Sequence, residues 1–346
     1  MKAIDLRSDT VTVPTPKMRE AIYHAELGDD VYGEDQSTKR LEEMAAEITG
    51  TEAALLVPSG TMANLTCVLT HCGRGEEAIL GDKSHIFLNE AGGMSALGGV
   101  QAHILANQPD GSLRLEDIES AIRGDNIHFP RTRLICIENT HNRCNGSPLS
   151  PEYIDSVAEL ARKYGLLVHL DGARIFNAAV ALGIDVKEFT GSVNSLMFCL
   201  SKGLSAPIGS MVCGSKEFIS EALRTRKVLG GGMRQTGIIA AAGIISLEQM
   251  VDRLSEDHIN ARNLAEGIAQ IPGLSIDIET TKTNIIYFDI TDEHLKADEF
   301  MKLCGRKGVM FLPTGPTQFR MVTHYGIEPE DIDAALIALR GVMEGQ

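Results

Sequence analysis

The sequence contains no Cys-x-x-Cys pair, no long apolar run and no apolar segment near its N-terminus. A membrane-spanning helix needs about 20 consecutive apolar residues, and the most apolar stretch, 237–247, is too short. The polar N-terminus does not resemble a secretory signal. The seven cysteines are scattered and odd in number. We therefore expect reduced thiols in a cytoplasmic protein that has no membrane partner.

Basic residues are also scarce, because 32 Lys and Arg stand against 47 Asp and Glu and leave a net charge of −15. A nucleic-acid surface needs clustered Lys and Arg to neutralise phosphates, so this composition argues against a nucleic-acid partner. An anionic small molecule would need a local basic pocket. The chain has 346 residues. A single core stops growing at about 250–300 residues, so two domains are expected.

Apolar runs typical of strands alternate with amphipathic helical patterns between about residues 50 and 215. Strands are predicted at 53–57, 77–80, 134–138, 166–170, 195–200 and 208–213. The best-marked helix covers 151–164, with Ser150 as its N-cap, Pro151 as its first residue and Gly165 just after its end. Continuously apolar strands joined by helices predict an α/β fold with a mostly parallel central sheet flanked by helices.

The pattern changes after about residue 245. One long helix is predicted over 233–271, ending at Pro272-Gly273. Strands are then predicted at 284–290 and 318–323, and helices at 297–307 and 329–343. We therefore predict two domains. Residues 1–245 would form an N-terminal arm and the large domain, and residues 246–346 a smaller C-terminal α+β domain, with the long helix bridging the two.

Lys202 follows the apolar run 195–200 and lies between the small residues Ser201 and Gly203. In open α/β sheets, ligands bind at the carboxyl ends of strands. Asp171 comes directly after the run 166–170, and the 31 positions between it and Lys202 allow one β–α–β crossover. Pyridoxal phosphate (PLP) needs a lysine that forms a Schiff base and a carboxylate near its ring nitrogen. The pair therefore predicts a PLP site, although Asp171 alone could be a strand-end cap.

A small-residue turn, Ser59-Gly60-Thr61, joins the strand at 53–57 to a helical pattern at 62–69. Free N–H groups and the helix dipole favour an anion at such a helix start. The turn therefore predicts a phosphate cradle. An ordinary strand-to-helix turn with a Ser or Thr cap would explain the same residues.

Two further residues fit the same cofactor. His85 follows the strand predicted at 77–80, where an imidazole could stack on the cofactor ring. A glycine run at 230–232 precedes Arg234 and fits either a loop that brings this guanidinium to the phosphate or a flexible linker.

Ten segments of the chain carry a family resemblance: IDLRSDTVT (4–12), GDDVYGED (28–35), PSGTMAN (58–64), SHI (84–86), NIHFP (126–130), ENTHN (138–142), HLDGARIFNA (169–178), CLSKGLSAPIGS (199–210), LGGGMRQ (229–235) and RMVTH (320–324). Together they resemble the low-specificity L-threonine aldolases, a family of fold-type I PLP-dependent enzymes. The resemblance covers nearly the whole chain. Several segments are long enough to make a chance match implausible.

The resemblance implies a role for each matching residue. The catalytic set would be Lys202, which forms the Schiff base, Asp171 at the ring nitrogen, His85 stacked on the ring, and His128 near the substrate hydroxyl. The cofactor would be held by Ser59, Gly60, Thr61, His85, Asp171, Arg174, Ser201, Lys202 and, from a neighbouring subunit, Arg234. The substrate would be held by Ser8, His128, Arg174 and Arg320.

The implied reaction is cleavage of L-threonine or L-allo-threonine between Cα and Cβ, which releases glycine and acetaldehyde. His85, His128 or a water molecule held by both would take the hydroxyl proton. The family is usually tetrameric and built from dimers that share active sites. One departure is Leu88-Asn89, where some relatives carry bulky aromatic residues near the substrate entrance, which puts the substrate range in question.

Other functions remain open at this point. A PLP-dependent β-eliminating lyase or an aminotransferase could use the same lysine and aspartate, and a non-enzymatic PLP-binding module could hold the cofactor without turnover. A retro-aldol metalloenzyme would need a ligand cluster. We expect His169 and Asp171, which alternate along one strand, to point to opposite faces and not to share a metal. No metal site is therefore predicted.

Overall fold

The computed structural model describes residues 3–292 and 294–345. Its strands are β1 (Ile4–Asp5), β2 (Ala53–Val57), β3 (Glu77–Gly81), β4 (Gln101–Leu105), β5 (Thr132–Glu138), β6 (Leu167–Asp171), β7 (Ser195–Cys199), β8 (Ser210–Gly214), β9 (Leu274–Ser275), β10 (Ile285–Ile290), β11 (Val309–Met310), β12 (Leu312–Pro313) and β13 (Gln318–Val322).

The helices lie between and around these strands. They are α1 (Pro16–Tyr23), α2 (Gln36–Thr49), α3 (Gly60–His71), α4 (His85–Leu88), α5 (Gly93–Ala96), α6 (Leu115–Ala121), α7 (Pro151–Lys163), α8 (Ile175–Leu182), α9 (Lys216–Val228), α10 (Gly237–Gln249), α11 (Leu254–Ile268), α12 (Ala297–Arg306) and α13 (Pro329–Met343). No helix of the described residues is long and apolar enough to cross a membrane.

A seven-stranded sheet in the order β2-β8-β7-β6-β5-β3-β4 forms the centre of the larger part of the chain. Only β8 runs antiparallel to its neighbours β2 and β7, and the other pairs are parallel. The predicted α/β fold with a mostly parallel sheet is therefore confirmed. Strands β3, β7 and β8 are buried along their whole length, as their continuous apolar runs predict.

The helix α7 also confirms its sequence markers. The Ser150 hydroxyl accepts a hydrogen bond from the Tyr153 N–H, and Gly165 has the left-handed φ of +66° that favours glycine. Strand β4 was not predicted, because it lies at the sheet edge and is only partly buried, so it carries no continuous apolar run.

A four-stranded antiparallel sheet in the order β12-β13-β10-β9 organises the C-terminal part of the chain. Four phenylalanine rings, those of Phe288, Phe300, Phe311 and Phe319, pack together in its core. The predicted continuous helix over 233–271 is wrong. The chain forms the separate helices α10 and α11, with a turn at 250–253 between them that contains no glycine or proline.

The N-terminal arm joins this smaller sheet to the active-site edge of the large one. Strand β1 pairs in parallel with β11, and the Val322 N–H donates to the Leu6 carbonyl at 2.8 Å. The next residues, Ser8 and Asp9, then pass the start of α8. All seven cysteines are free and buried.

Candidate active site

Lys202 and Asp171 lie at the same edge of the large sheet, as the sequence predicts. Asp171 is the last residue of β6, and Lys202 comes three residues after the end of the neighbouring strand β7. A cavity of about 320 Å³ opens at this edge. It is lined by Ser8, Thr10, His85, Asn89, Asn142, Arg143, Arg174, Lys202, Leu312, Pro313, Thr314 and Arg320. The fold therefore collects side chains from both ends of the sequence around Lys202.

Three arginines, Arg143, Arg174 and Arg320, line this cavity, and two of them carry the argument. Arg174 is buried, and its Nε and Nη2 atoms each donate to an Asp9 carboxylate oxygen at 2.7 Å. Arg320 donates from Nη1 to Asn142 Oδ1 at 2.8 Å, and its buried Nε has no hydrogen-bond partner among the described residues. Burial, followed by the charge of Arg174, lowers the pKa of Arg320. A bound carboxylate would relieve this repulsion and pair with the unused donors.

The start of α3 forms an anion cradle. Ser59 is the N-cap, and its hydroxyl accepts a hydrogen bond from the Met62 N–H at 3.2 Å. A Cβ on Gly60 would come within 2.8 Å of Cys199 Sγ, so only glycine allows this close approach to β7. The first N–H groups of a helix have no intrahelical partner, and Thr61 lies exposed beside them. Lys202, Asp171 and this helix start therefore fit the amine, ring-nitrogen and phosphate contacts that PLP requires.

Asn64, on α3, connects the polar groups behind the cavity. Its Nδ2 donates to Asp171 Oδ2 and to Glu90 Oε1, both at 2.8 Å. Its Oδ1 lies 2.9 Å from His169 Nε2. Asn64, Asp171 and His169 are at most 1% exposed.

This network corrects the expectation that His169 and Asp171 point to opposite faces of the sheet. Residues two apart on a strand share a face, and both side chains contact Asn64. The argument against a metal site therefore fails. Ligand atoms of His85, Glu90 and Asp171 do lie within 4.8 Å of one another. However, Asn64 Nδ2 already bridges the Glu90 and Asp171 carboxylates, and His85 Nδ1 is hydrogen-bonded to Glu90, so the geometry favours a proton-linked network.

His128 lies outside this cavity. It is exposed in the loop that precedes β5. The other end of β5 lies at the cavity edge, because Glu138 is there the backbone neighbour of Asp171 in the β5–β6 ladder. A strand rises about 3.3 Å per residue, so β5 separates His128 from the cavity edge by roughly 20 Å. Within one chain the structure does not bring His128 to Lys202.

Six more of the expected site residues also do not line the cavity: Ser59, Gly60, Thr61, Asp171, Ser201 and Arg234. Arg234 is about half exposed, and its Nη1 forms an ion pair with Asp29 Oδ2 at 3.0 Å. Ser201 is half-buried beside Lys202.

Several polar residues of the site were missed at the level of sequence. Asp9, Asn64, Glu90 and Asn142 lie in or directly after the quoted motifs, but no spacing rule singles them out. Apart from His85, five positions before Glu90, the side-chain partners described above are 26 to 178 positions away in the chain. A polar residue inside an otherwise recognisable motif was the available signal.

Comparisons with known proteins agree with this geometry. The family model described as beta-eliminating lyase matches residues 5–291. A probable low-specificity L-threonine aldolase 2 from Arabidopsis thaliana is 49% identical over 97% of this chain and 96% of its own length. The low specificity L-threonine aldolase of Escherichia coli K12 is 44% identical over 95% of this chain and 96% of its own.

Solved structures share the fold. A Leishmania major threonine aldolase has a TM-score of 0.83 at 18% identity and covers 98% of this chain and 99% of its own. A putative L-allo-threonine aldolase from Listeria monocytogenes has a TM-score of 0.79 at 20% identity, with 98% and 96% covered. The family match and the two relatives agree with the position of Lys202 and Asp171 at one edge of the large sheet. The chain therefore belongs to the low-specificity L-threonine aldolases, within the beta-eliminating lyase family of fold-type I PLP-dependent enzymes.

Proposed function

We propose that this enzyme cleaves L-threonine and L-allo-threonine between Cα and Cβ and releases glycine and acetaldehyde. One observation carries the proposal: Lys202 shares a single cavity with three guanidinium groups, two of which are those of Arg174 and Arg320, and with the His85 imidazole. A β-hydroxy-α-amino acid presents an amine, a carboxylate and a hydroxyl, and these are the groups that such a cavity can bind.

The residues that would hold PLP follow from the geometry. Lys202 would bind its aldehyde carbon, Asp171 would face its ring nitrogen, and the start of α3 at Ser59, Gly60 and Thr61 would bind its phosphate. When bound, PLP supplies an electron sink for the bond that breaks at Cα.

Arg174 and Arg320, with Ser8 beside them in the cavity lining, orient the substrate carboxylate. A guanidinium fork suits a carboxylate because it can donate two parallel hydrogen bonds. Fixing the carboxylate also fixes which substituent of Cα is aligned for cleavage, and such orientation contributes directly to the rate. Selectivity for Cα–Cβ cleavage over β-elimination therefore depends on this clamp.

His85 would accept the hydroxyl proton. Its Nδ1 lies 2.8 Å from Glu90 Oε1, which leaves Nε2 for the substrate. His128, or a water molecule between the two histidines, is the alternative base.

Two of the expected site residues, His128 and Arg234, would act across a subunit interface. His128 lies near the N-terminal ends of the strands, opposite the cavity of its own subunit. Arg234 does not line the cavity of its own subunit. Ile127 and Phe129, on either side of His128, are 97% and 48% exposed. Such an apolar loop fits a contact with another subunit. These features support a homotetramer in which subunits share active sites, and the free buried cysteines support a cytoplasmic location.

The test is to incubate the purified, PLP-loaded enzyme with L-threonine, L-allo-threonine and their D isomers, and separately with L-serine. Acetaldehyde and glycine from the L substrates are expected. Pyruvate from serine without acetaldehyde from threonine would indicate a β-eliminating lyase instead. A keto acid formed only in the presence of an amino acceptor would indicate an aminotransferase.

A further inference from the structure

Glu90 is a buried carboxylate to which the reaction as described gives no role. It follows α4 by two residues and is 6% exposed. Its Oε1 lies 2.8 Å from His85 Nδ1 and accepts a hydrogen bond from Asn64 Nδ2 at the same distance. A buried carboxylate is retained at low cost only if it is paired. Here its partner is the histidine that faces the substrate cavity.

The hydrogen-bond network determines which nitrogen of His85 carries a proton. An ionised carboxylate can only accept hydrogen bonds. His85 Nδ1 must therefore be the donor to Glu90, and in the neutral ring Nε2 carries the lone pair. Asn64 in turn holds Glu90. The amide of Asn64 has one possible orientation, because its donor atom Nδ2 must be the one that contacts the two carboxylates.

The charges around His85 oppose one another. Burial disfavours the imidazolium, but the hydrogen bond to Glu90 and the charge of Asp171 outweigh it, so the pKa of His85 is raised despite the opposing charge of Lys202. The Glu138 carboxylate also faces this residue, because its Oε2 accepts the His85 backbone N–H at 2.7 Å. Burial, opposed by the His85 hydrogen bond, raises the pKa of Glu90.

We infer that Glu90 is a positioning residue for His85: it holds the imidazole with Nδ1 protonated and Nε2 available to the cavity. The inference rests on the proposed function, since it assigns the β-hydroxyl proton to His85 Nε2. As the substrate O–H bond breaks, an N–H bond forms at Nε2. Glu90 stabilises the resulting imidazolium until that proton returns to solvent.

The first test uses Glu90→Gln, which removes the charge but keeps the shape. In the PLP-free protein, NMR of isotope-labelled histidine, with His85→Asn to assign the signal, should show a lower His85 pKa in E90Q than in the wild type. In PLP-loaded E90Q, the acidic limb of the pH profile of kcat/KM should move to lower pH. Its kcat should fall about tenfold, a smaller decrease than removal of a general base causes. KM should change little, because the arginine clamp is intact.

Glu77→Gln is the matched control. Glu77 is also buried, and its Oε1 lies 3.2 Å from His103 Nδ1, but it starts β3 at the edge of the sheet away from the cavity. E77Q should lower stability and leave the pH profile unchanged. Glu90→Asp, which keeps the charge, should retain a raised His85 pKa.

An unchanged His85 pKa in E90Q would overturn the inference. So would NMR shifts showing Nε2 protonated in neutral His85 of the wild type, a measurement that does not depend on the folding of a Glu90 variant. Absence of threonine cleavage by the wild-type enzyme would instead refute the proposed function, whatever the NMR result.

Discussion

Asp9 and Arg174 form a buried, bidentate ion pair between segments 165 residues apart in the chain. Burial opposes a charged Asp9, but the adjacent guanidinium holds the pKa of this carboxyl well below its usual range. The pair ties the N-terminal arm to the start of α8. It also occupies Nε and Nη2 of Arg174, so Nη1 would be the nitrogen available to the proposed substrate carboxylate.

Replacing Asp9 by Asn should therefore reduce both stability and substrate affinity. The new amide would place an N–H group against the guanidinium and leave a buried charge unpaired, at a cost of about 3–5 kcal/mol. KM should rise about tenfold, equivalent to one charge-assisted hydrogen bond. Denaturant unfolding and steady-state kinetics measure these effects.

Asp5→Asn, which breaks the more exposed pair with Arg7, should cost only about 0–1 kcal/mol. Equal losses in the two variants would contradict this.

Lys202→Ala should abolish the visible absorbance of lysine-bound PLP and reduce threonine cleavage to background. The cavity offers no second lysine in its lining. Absorbance spectra of dialysed protein and an acetaldehyde assay test the expectation. Lys302→Ala, on the exposed side of α12, should match the wild type in both. Retention of the band in K202A would assign the cofactor to another lysine.

Gly60→Ala should weaken PLP binding. The added Cβ would come within 2.8 Å of Cys199 Sγ and push the helix start away from β7, at a cost of about 1–3 kcal/mol. The dissociation constant of PLP should therefore rise about tenfold or more, as measured by fluorescence titration. A Cβ on Gly191 meets nothing within 4 Å, so G191A serves as the control. Wild-type affinity in G60A would place the phosphate elsewhere.

Acid should weaken the contribution that two buried, uncharged histidines make to stability. Burial lowers the pKa of His169 to about 4 and that of His71 to about 3, from 6.5. At these two residues the unfolded chain then binds more protons below pH 6.5, so their contribution to the free energy of unfolding falls as pH drops from about 6.5 towards 4, by up to about 1.4 kcal/mol per pH unit for each histidine. Glu42 and Asp257 act in the opposite direction, because burial raises their pKa to about 7 and about 6 and the folded chain binds more protons there. Chemical unfolding at several pH values measures the slope. His71→Gln should reduce it, whereas a substitution of the exposed His24 should not.

Sharing of active sites predicts complementation between inactive variants. If His128 acts in another subunit's cavity, K202A and H128A subunits mixed in one oligomer should form sites that contain Lys202 from one chain and His128 from another. Activity should then exceed that of either variant alone. Mixed oligomers verified by mass spectrometry that remain inactive would contradict the sharing of His128.

Much of the architecture follows from local patterns. Strands buried on both faces need continuous apolar runs, so β2, β3 and β5–β8 were visible in the sequence, and the edge strand β4 was not. The turn between α10 and α11 was also invisible, because the apolar pattern continues through it. The boundary between domains at residue 245 stays a prediction.

The sequence by itself determined that Lys202 and Asp171 share a sheet edge, because the carboxyl ends of parallel strands meet there. Only the tertiary structure decided what surrounds them. Asp9 reaches Arg174, and Asn64 bridges Asp171 and Glu90, across 26 to 165 positions of the chain. Such contacts depend on how helices and strands pack, and side-chain periodicity carries no information about partners that distant. The same reason explains why His128 is part of the motif pattern yet lies outside its own cavity.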